Sequence, residues 1–413
     1  MAREHGSMRP KRMRGAMNDR YAYYRELFKG RPKPFAFVDL DHFDGNVRTI
    51  LDRAGGMPVR VASKSLRCVA LLKRIFAASS QYRGVMAFTA HEAVFLSRQG
   101  LDDILVAYPV SGEVECSGVC EALRTGKAII LMADSSEHIE HLDAIGARAG
   151  VTFPVCIDVD MSSRYPGLHF GVRHSGVRTP EDVLALWRCV QACAHVSLAG
   201  LMGYEAQIAG LPDRSPGHPV RSLVLRCLKR RSIGEVARRR AAVVEALREA
   251  GSTLRFVNGG GTGSVESTVQ EAGVVTEVTA GSGFYSPWLF DYYTGFRHLP
   301  AAGFAIEITR RPAPDIYTCH GGGYVASGAA GPDKLPQPYL PAGAELLPME
   351  GAGEVQTPIR YRGRVPLGLG DPVFLRHSKA GELCERFKTL LLVSDGAIVD
   401  EVATYRGDGQ CFM

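Results

Sequence analysis

Between Phe35 and Glu277 the chain repeats one local pattern: a short apolar run, a polar or glycine-rich connection, then a stretch with apolar residues three and four apart. That alternation is the signature of strands feeding helices in a parallel sheet. The runs expected as strands are Phe35–Asp39, Val59–Ala62, Gly84–Phe88, Asp103–Ala107, Ala128–Met132, Val155–Val159, Leu198–Met202, Arg255–Asn258 and Val274–Glu277. Helices are expected over Ala90–Gln99, Pro180–Cys193 and Ile233–Ala250, where the apolar period is helical. Eight or nine such repeats in one unbroken series suit a closed (β/α)8 barrel better than an open sheet.

Beyond about residue 300 the texture changes to short apolar runs separated by Gly and Pro, such as Gly303–Thr309, Ile316–Cys319, Pro372–Leu375 and Leu390–Ser394. These read as a smaller antiparallel β domain. The expected organisation is therefore α/β: a disordered basic tail over 1–17, a TIM-like barrel over 33–295, and a β domain made of 18–32 with 296–413. A chain of 413 residues, 46% hydrophobic, is long enough to bury both cores.

Composition narrows the class further. No apolar run approaches the ~20 residues of a membrane span, and the N-terminal cations Arg3, Arg9, Lys11, Arg12 and Arg14 precede no apolar core of a secretory signal. Ten cysteines without a CxxC pair or a regular framework read as reduced thiols of a cytoplasmic protein rather than as disulfides or zinc ligands. The net charge of +6 gathers in the tail and in Arg221–Arg240. With no aromatic platform or nucleic-acid-binding motif beside it, that segment reads as a solvated helix face next to a mobile insertion, and nucleic acid is not an expected partner. The Gly- and Pro-containing stretch Ile208–His218 reads as a loop above the barrel mouth, either a lid or a plain connection.

Two features carry chemistry. Lys64 follows Val59–Ala62, at the end of a barrel strand where catalytic groups of such barrels collect, and a lysine amine there can form a Schiff base. Its bland reading is a solvated surface lysine. The run Gly259, Gly260, Gly261, Thr262, Gly263 lets backbone N–H groups converge on an anion, with Thr262 adding a hydroxyl and Gly281 and Ser282 supplying opposing donors. The bland reading is a pair of tight turns, but two glycine-rich strand ends at the late strands favour a phosphate site.

In register, the motifs Val38–Asp41 with Asn46, Ala62–Ser65, Ile157–Asp160 followed by Arg164 and Gly167, Gly200–Tyr204, Asn258–Gly263, and Thr276–Glu277 leading into Ala280–Tyr285 resemble the fold-type III pyridoxal-phosphate enzymes. The resemblance spans about residues 33 to 400, and within those enzymes it is to the D-threonine aldolase and D-serine dehydratase group related to alanine racemase. It implies pyridoxal 5′-phosphate as cofactor, Lys64 as the lysine that holds it, Arg164 at the pyridine nitrogen and Tyr204 against the ring or phosphate. Arg164 has an alternative as an ion-pair partner of Asp158 or Asp160, and His91 reads equally as pocket lining or as a structural histidine. A homodimer is also implied.

The C-terminal domain departs from the family pattern. Members carry a His-x-Cys or His-x-Asp pair that binds a divalent metal, whereas here His377 and Cys384 stand seven apart, leaving the metal open. The preferred expectation is that His377, Lys379 or Arg376 does the metal's work, with His377 taking the β-hydroxyl proton because histidine titrates near neutrality. The resemblance then implies an aldolase acting on β-hydroxy-α-amino acids, D-configured, that yields a small amino acid and an aldehyde. The alternatives are a D-serine dehydratase-type deaminase giving keto acid and ammonia, an amino-acid racemase using Tyr317 or Tyr324 as second base, and a non-catalytic cofactor carrier.

Overall fold

The structure, a computed structural model, describes residues 10–215 and 217–413, with side chains from Met17. In chain order the elements are α1 (Pro10–Leu27), β1 (Phe35–Asp39), α2 (Leu40–Ala54), β2 (Val59–Ala62), α3 (Val69–Ala78), β3 (Tyr82–Ala87), α4 (Ala90–Arg98), β4 (Ile104–Pro109), α5 (Glu113–Arg124), β5 (Ile129–Ala133), α6 (Ser136–Ala149) and β6 (Phe153–Asp158). They continue with the hairpin β7 (Ser163–Tyr165) and β8 (Leu168–Phe170), then α7 (Pro180–Ala192), β9 (Val196–Gly203), α8 (Ala206–Ala209), α9 (Pro219–Glu249), β10 (Phe256–Gly259), α10 (Val265–Val269) and β11 (Glu277–Ala280). The rest is β: β12 (Ala302–Ala313), β13 (Ile316–His320), β14 (Gln337–Leu340), β15 (Glu345–Leu346), β16 (Gln356–Arg360), β17 (Pro372–Arg376), β18 (Thr389–Ser394) and β19 (Ala397–Ala403).

The described residues divide into two units, the first comprising 10–46, 284–289 and 298–409, the second drawn from 47–283, 290–297 and 410–413. In the second unit, β2, β3, β4, β5, β6, β9, β10 and β11 close in that order into a parallel barrel. Strands such as Ile129–Ala133 are buried at every position, as expected where one face fills the barrel and the other meets helices. Leu105, Ile130, Met132, Cys156, Ala199, Met202 and Phe256, with Met86 against them, form one buried cluster. Near the N-terminal strand ends Arg60 makes a bidentate pair with Glu277 (2.6 and 3.0 Å) and donates to the Asp103 carbonyl (2.7 Å). Strand ends pass directly into helix caps: Thr89 and Ser135 each accept an amide of the first turn, and Thr179 forms a reciprocal capping box with Asp182.

In the first unit, a sheet of nine strands among the described residues has β1 in its middle, antiparallel to β12 and parallel to β18. Phe35–Asp39, expected as a barrel strand, belongs here. The barrel closes without it through β11 and β2, where Val278 pairs with Val59. Tyr24 donates to Asp39 at 2.5 Å, and the rings of Tyr24, Phe28, Phe37 and Phe374 meet at 5.1–6.1 Å between centroids, tying α1 to this sheet.

Three other expectations change. Residues 1–9 of the expected disordered tail lie outside the described residues, but from Pro10 the chain is helical, because Lys11–Met17 is rich in good helix formers and extends the buried turn of Tyr21 and Tyr24. The strand expected at Val274–Glu277 starts instead at Glu277, where pairing with Asn258 begins. The cationic stretch Arg221–Arg240 lies within the 31-residue helix α9, and it is not simply a solvated face. Lys229 donates to Leu211 O (2.8 Å) and Asp213 (2.6 Å), and Arg240 is fully buried. None of the helices in the described residues is long and apolar enough to cross a membrane.

Candidate active site at the C-terminal end of the barrel

Lys64 sits on a single 3-10 turn, Ser63–Ser65, directly after β2. The turn is pinned from both sides. Ser63 donates its hydroxyl to Met86 O of the neighbouring strand (3.0 Å), and Arg67 returns its Nε to Lys64 O (2.9 Å). Arg67 adopts φ +50°, a left-handed backbone that costs a non-glycine residue about 1 kcal/mol or more. The half-buried Lys64 Nζ donates to the Tyr108 hydroxyl at 3.1 Å and lies 5.5 Å from that ring's centroid. Tyr108 comes from the end of β4, and the ring of His174 meets it at 6.2 Å, edge to face. His174 is held below its ordinary pKa by desolvation and then by the Lys64 ammonium, with Asp160 acting in the opposite sense.

The next residue along, Ser65, shares a hydroxyl hydrogen bond with Ser282 (3.3 Å), linking the lysine turn to the glycine-rich ends of β10 and β11. At Gly281 a Cβ would come within 2.7 Å of Ser65 Oγ, so only glycine lets this turn approach the lysine turn. Gly260 takes φ +86°. The amides of Gly260 and Gly261 donate to Glu205 (3.2 Å) and Ser264 (3.1 Å), and that of Gly281 to Thr262 Oγ1 (3.3 Å). These three amides, expected as anion donors, instead shape the cup. Thr262 Oγ1 also accepts from Gly283 N (3.2 Å). With both lone pairs engaged, its own O–H remains as a donor. Tyr204 at the end of β9 lies against Gly261, whose Cβ would stand 3.2 Å from its ring, and burial followed by the Glu205 charge raises the Tyr204 pKa.

A buried carboxylate supports the cup. Glu205 accepts from Ser264 and Thr268 (2.7 Å each) and from Arg240 (2.8 Å), while Arg240 also pairs with Glu271 at 2.5 Å. Sequence reading missed Glu205 and Arg240 because an arginine among arginines on a helix looks solvated. Tyr108 had a usable signal, a polar residue at a barrel strand end. His174 had none.

Asp158, at the end of β6, is pushed up to about 7 by burial and then by Asp134 and Asp160. Asp160 is held low despite partial burial, because it accepts from Ser162 and from Arg178 at 2.7 Å. Arg178 is therefore its close partner. Arg164, expected at a pyridine nitrogen, lies on the β7–β8 hairpin with its side chain 66% exposed and only 4.0 Å from Asp160. His91 is exposed, and the buried Glu92 beside it accepts Phe88 N at 2.7 Å as a helix cap.

His377 and Lys379 belong to the β unit. Lys379 is exposed in the turn after β17. His377 is fully buried, its ring 6.0 Å from that of Tyr285, and burial followed by the Arg376 charge pushes it down to about 3. It does not titrate near neutrality, which removes the reason for expecting it as the base. Cys384 stands on the hydroxyl of the same Tyr285 at 3.8 Å. Among the described residues no three His, Cys, Asp or Glu side chains gather as metal ligands. One buried histidine beside a guanidinium does not fit a divalent cation, which needs several ligands.

A closed parallel barrel with a lysine on the turn after its first strand and a glycine cup at its last two strands, together with an antiparallel β unit, defines the alanine-racemase-like class. The chain belongs to that family: the alanine racemase N-terminal domain matches residues 38–286. D-threonine aldolase from Arthrobacter sp is 27% identical over 251 residues, 60% of this chain and 60% of that protein. The match thus spans about 60% of that relative's length. Among solved structures, D-threonine aldolase from Filomicrobium marinum superposes with a TM-score of 0.75 at 20% identity, covering 91% of this chain and 95% of that one. D-threo-3-hydroxyaspartate dehydratase from Delftia sp. HT23 gives 0.70 at 20% identity, covering 91% and 98%.

Proposed function

We propose that the chain is a pyridoxal-phosphate-dependent lyase that cleaves β-hydroxy-D-amino acids to a small amino acid and an aldehyde. The observation that carries this reading is the Lys64 turn bonded through Ser65 and Ser282 to a glycine cup. The site fits the cofactor on its own chemistry. Lys64 would hold its aldehyde, Tyr204 would lie along it, and the hydroxyl of Thr262 with Ser282 would take its phosphate. Bound there, the cofactor supplies an electron sink for a carbanion at Cα.

The protein's own contribution is placement. Ser63 and Arg67 fix the direction of Lys64, and Tyr108 holds its amine by a hydrogen bond. The D configuration and the aldolase outcome are supported by the likeness to D-threonine aldolase.

The test is the absorbance of the purified protein and of Lys64→Ala, followed by β-hydroxy-D-amino acids with and without a chelator. A visible band lost in the variant, with chelator-resistant aldehyde release, is the expected result. Ammonia and a keto acid instead of aldehyde would move the assignment to a dehydratase, and absence of a band would remove the lysine-bound cofactor.

A further inference from the structure

Once the substrate amine has taken the place of Lys64, the β-hydroxyl stands three bonds from that nitrogen, and a base for its proton must lie close to Lys64. Among the described residues of the barrel unit, His174 brings an imidazole to this place by way of the Tyr108 ring. The loop that carries it is strapped to the end of β6: Ser175 Oγ donates to Asp158 O (2.7 Å), Val177 N donates to Ser175 Oγ (3.0 Å), and Asp160 N donates to Val177 O (2.7 Å). These bonds leave His174 exposed, edge-on to the Tyr108 ring at 6.2 Å, while the Tyr108 hydroxyl holds Lys64 Nζ at 3.1 Å.

We propose that His174 is the base that takes the β-hydroxyl proton, with Tyr108 as the positioning residue between it and Lys64. This rests on the aldolase reading above. The balance closes within the site. The hydroxyl proton passes to the imidazole, the O–H pair becomes the second C–O bond of the aldehyde, and the Cα–Cβ pair goes to Cα. The freed Lys64 ammonium then protonates Cα, and the imidazolium returns its proton to Lys64 through solvent.

The charged and titratable groups acting on His174 are Lys64 and Asp160, with the Tyr108 ring against it. Desolvation first, and then Lys64, outweigh Asp160 and hold His174 below its ordinary pKa, which favours the neutral, proton-accepting imidazole. Aldehyde release should therefore rise as pH climbs through a value below the ordinary histidine range.

Two measurements test this. In the cofactor-free protein, NMR titration of the His174 imidazole should give a lowered pKa that rises in Lys64→Met; an unchanged value would show that the two groups do not face each other. In the loaded protein, His174→Gln should keep the visible band and α-proton exchange of D-alanine, yet lose about 10²–10⁴-fold in aldehyde release and lose the acid limb of its pH profile. Tyr108→Phe should lower both exchange and release. Aldehyde release unchanged in His174→Gln, or exchange falling by the same factor as release, overturns the assignment while leaving the aldolase standing. A wild-type protein without the band overturns both.

Discussion

Asp158 carries its charge state in its surroundings: buried at the end of β6 with Asp134 and Asp160 near, it holds its proton up to about pH 7. The unfolded chain releases that proton near the ordinary aspartate value of 3.8. The native state thus binds the proton more tightly, so this residue's contribution to stability is fully present below about pH 4 and is lost as pH rises through about 7. At ~1.4 kcal/mol per tenfold in proton affinity, wild type should lose up to about 4 kcal/mol relative to Asp158→Asn between pH 4 and pH 8. Urea unfolding of both proteins at pH 4, 6 and 8 checks this, and curves that fall in parallel would show an ordinary carboxyl. At the same scale, the turn carrying Lys64 was legible because it directly follows a barrel strand, whereas the exposure of Arg164 on the β7–β8 hairpin was not. His377 was legible as a histidine and illegible as a base, since its desolvation depends on packing that no local pattern encodes.

Helix α9 shows what an element can hide. Its cations suggest a solvated surface, yet Arg240 is buried between Glu205 and Glu271 and so braces the glycine cup from behind. Arg240→Met would leave those carboxylates without their cation, a loss of about 3–5 kcal/mol for a broken buried pair. Urea denaturation should show that loss, and cofactor titration should show weaker binding because Gly260 N hangs on the same Glu205 carboxylate. Full stability in the variant would mean that the carboxylates protonate at little cost. Helices α4 and α7 were readable, since Thr89 and Thr179 cap them locally. Boundaries that depend on pairing, such as the start of β11, were not.

For the whole molecule, the sheet of the first unit has its middle strand contributed from near the N-terminus: β1 lies between β12 and β18. Removing residues 10–39 would leave both neighbours with open edges, and such a chain should form aggregates through them. Comparing soluble yield and size-exclusion profiles of the truncated and full chains tests this, and a soluble, monodisperse truncation would show that the sheet can close on itself. The amino-acid sequence by itself determined the βα alternation, the antiparallel texture after residue 300, and the lysine and glycine turns, because periodicity and turn chemistry act over a few residues. Only the tertiary structure decided that Phe35–Asp39 leaves the barrel for the sheet, that Arg240 lies buried behind the cup, and that Tyr108 meets both Lys64 and the ring of His174. Each of those depends on groups far apart in the chain, whose burial and partners exist only once the strands have closed.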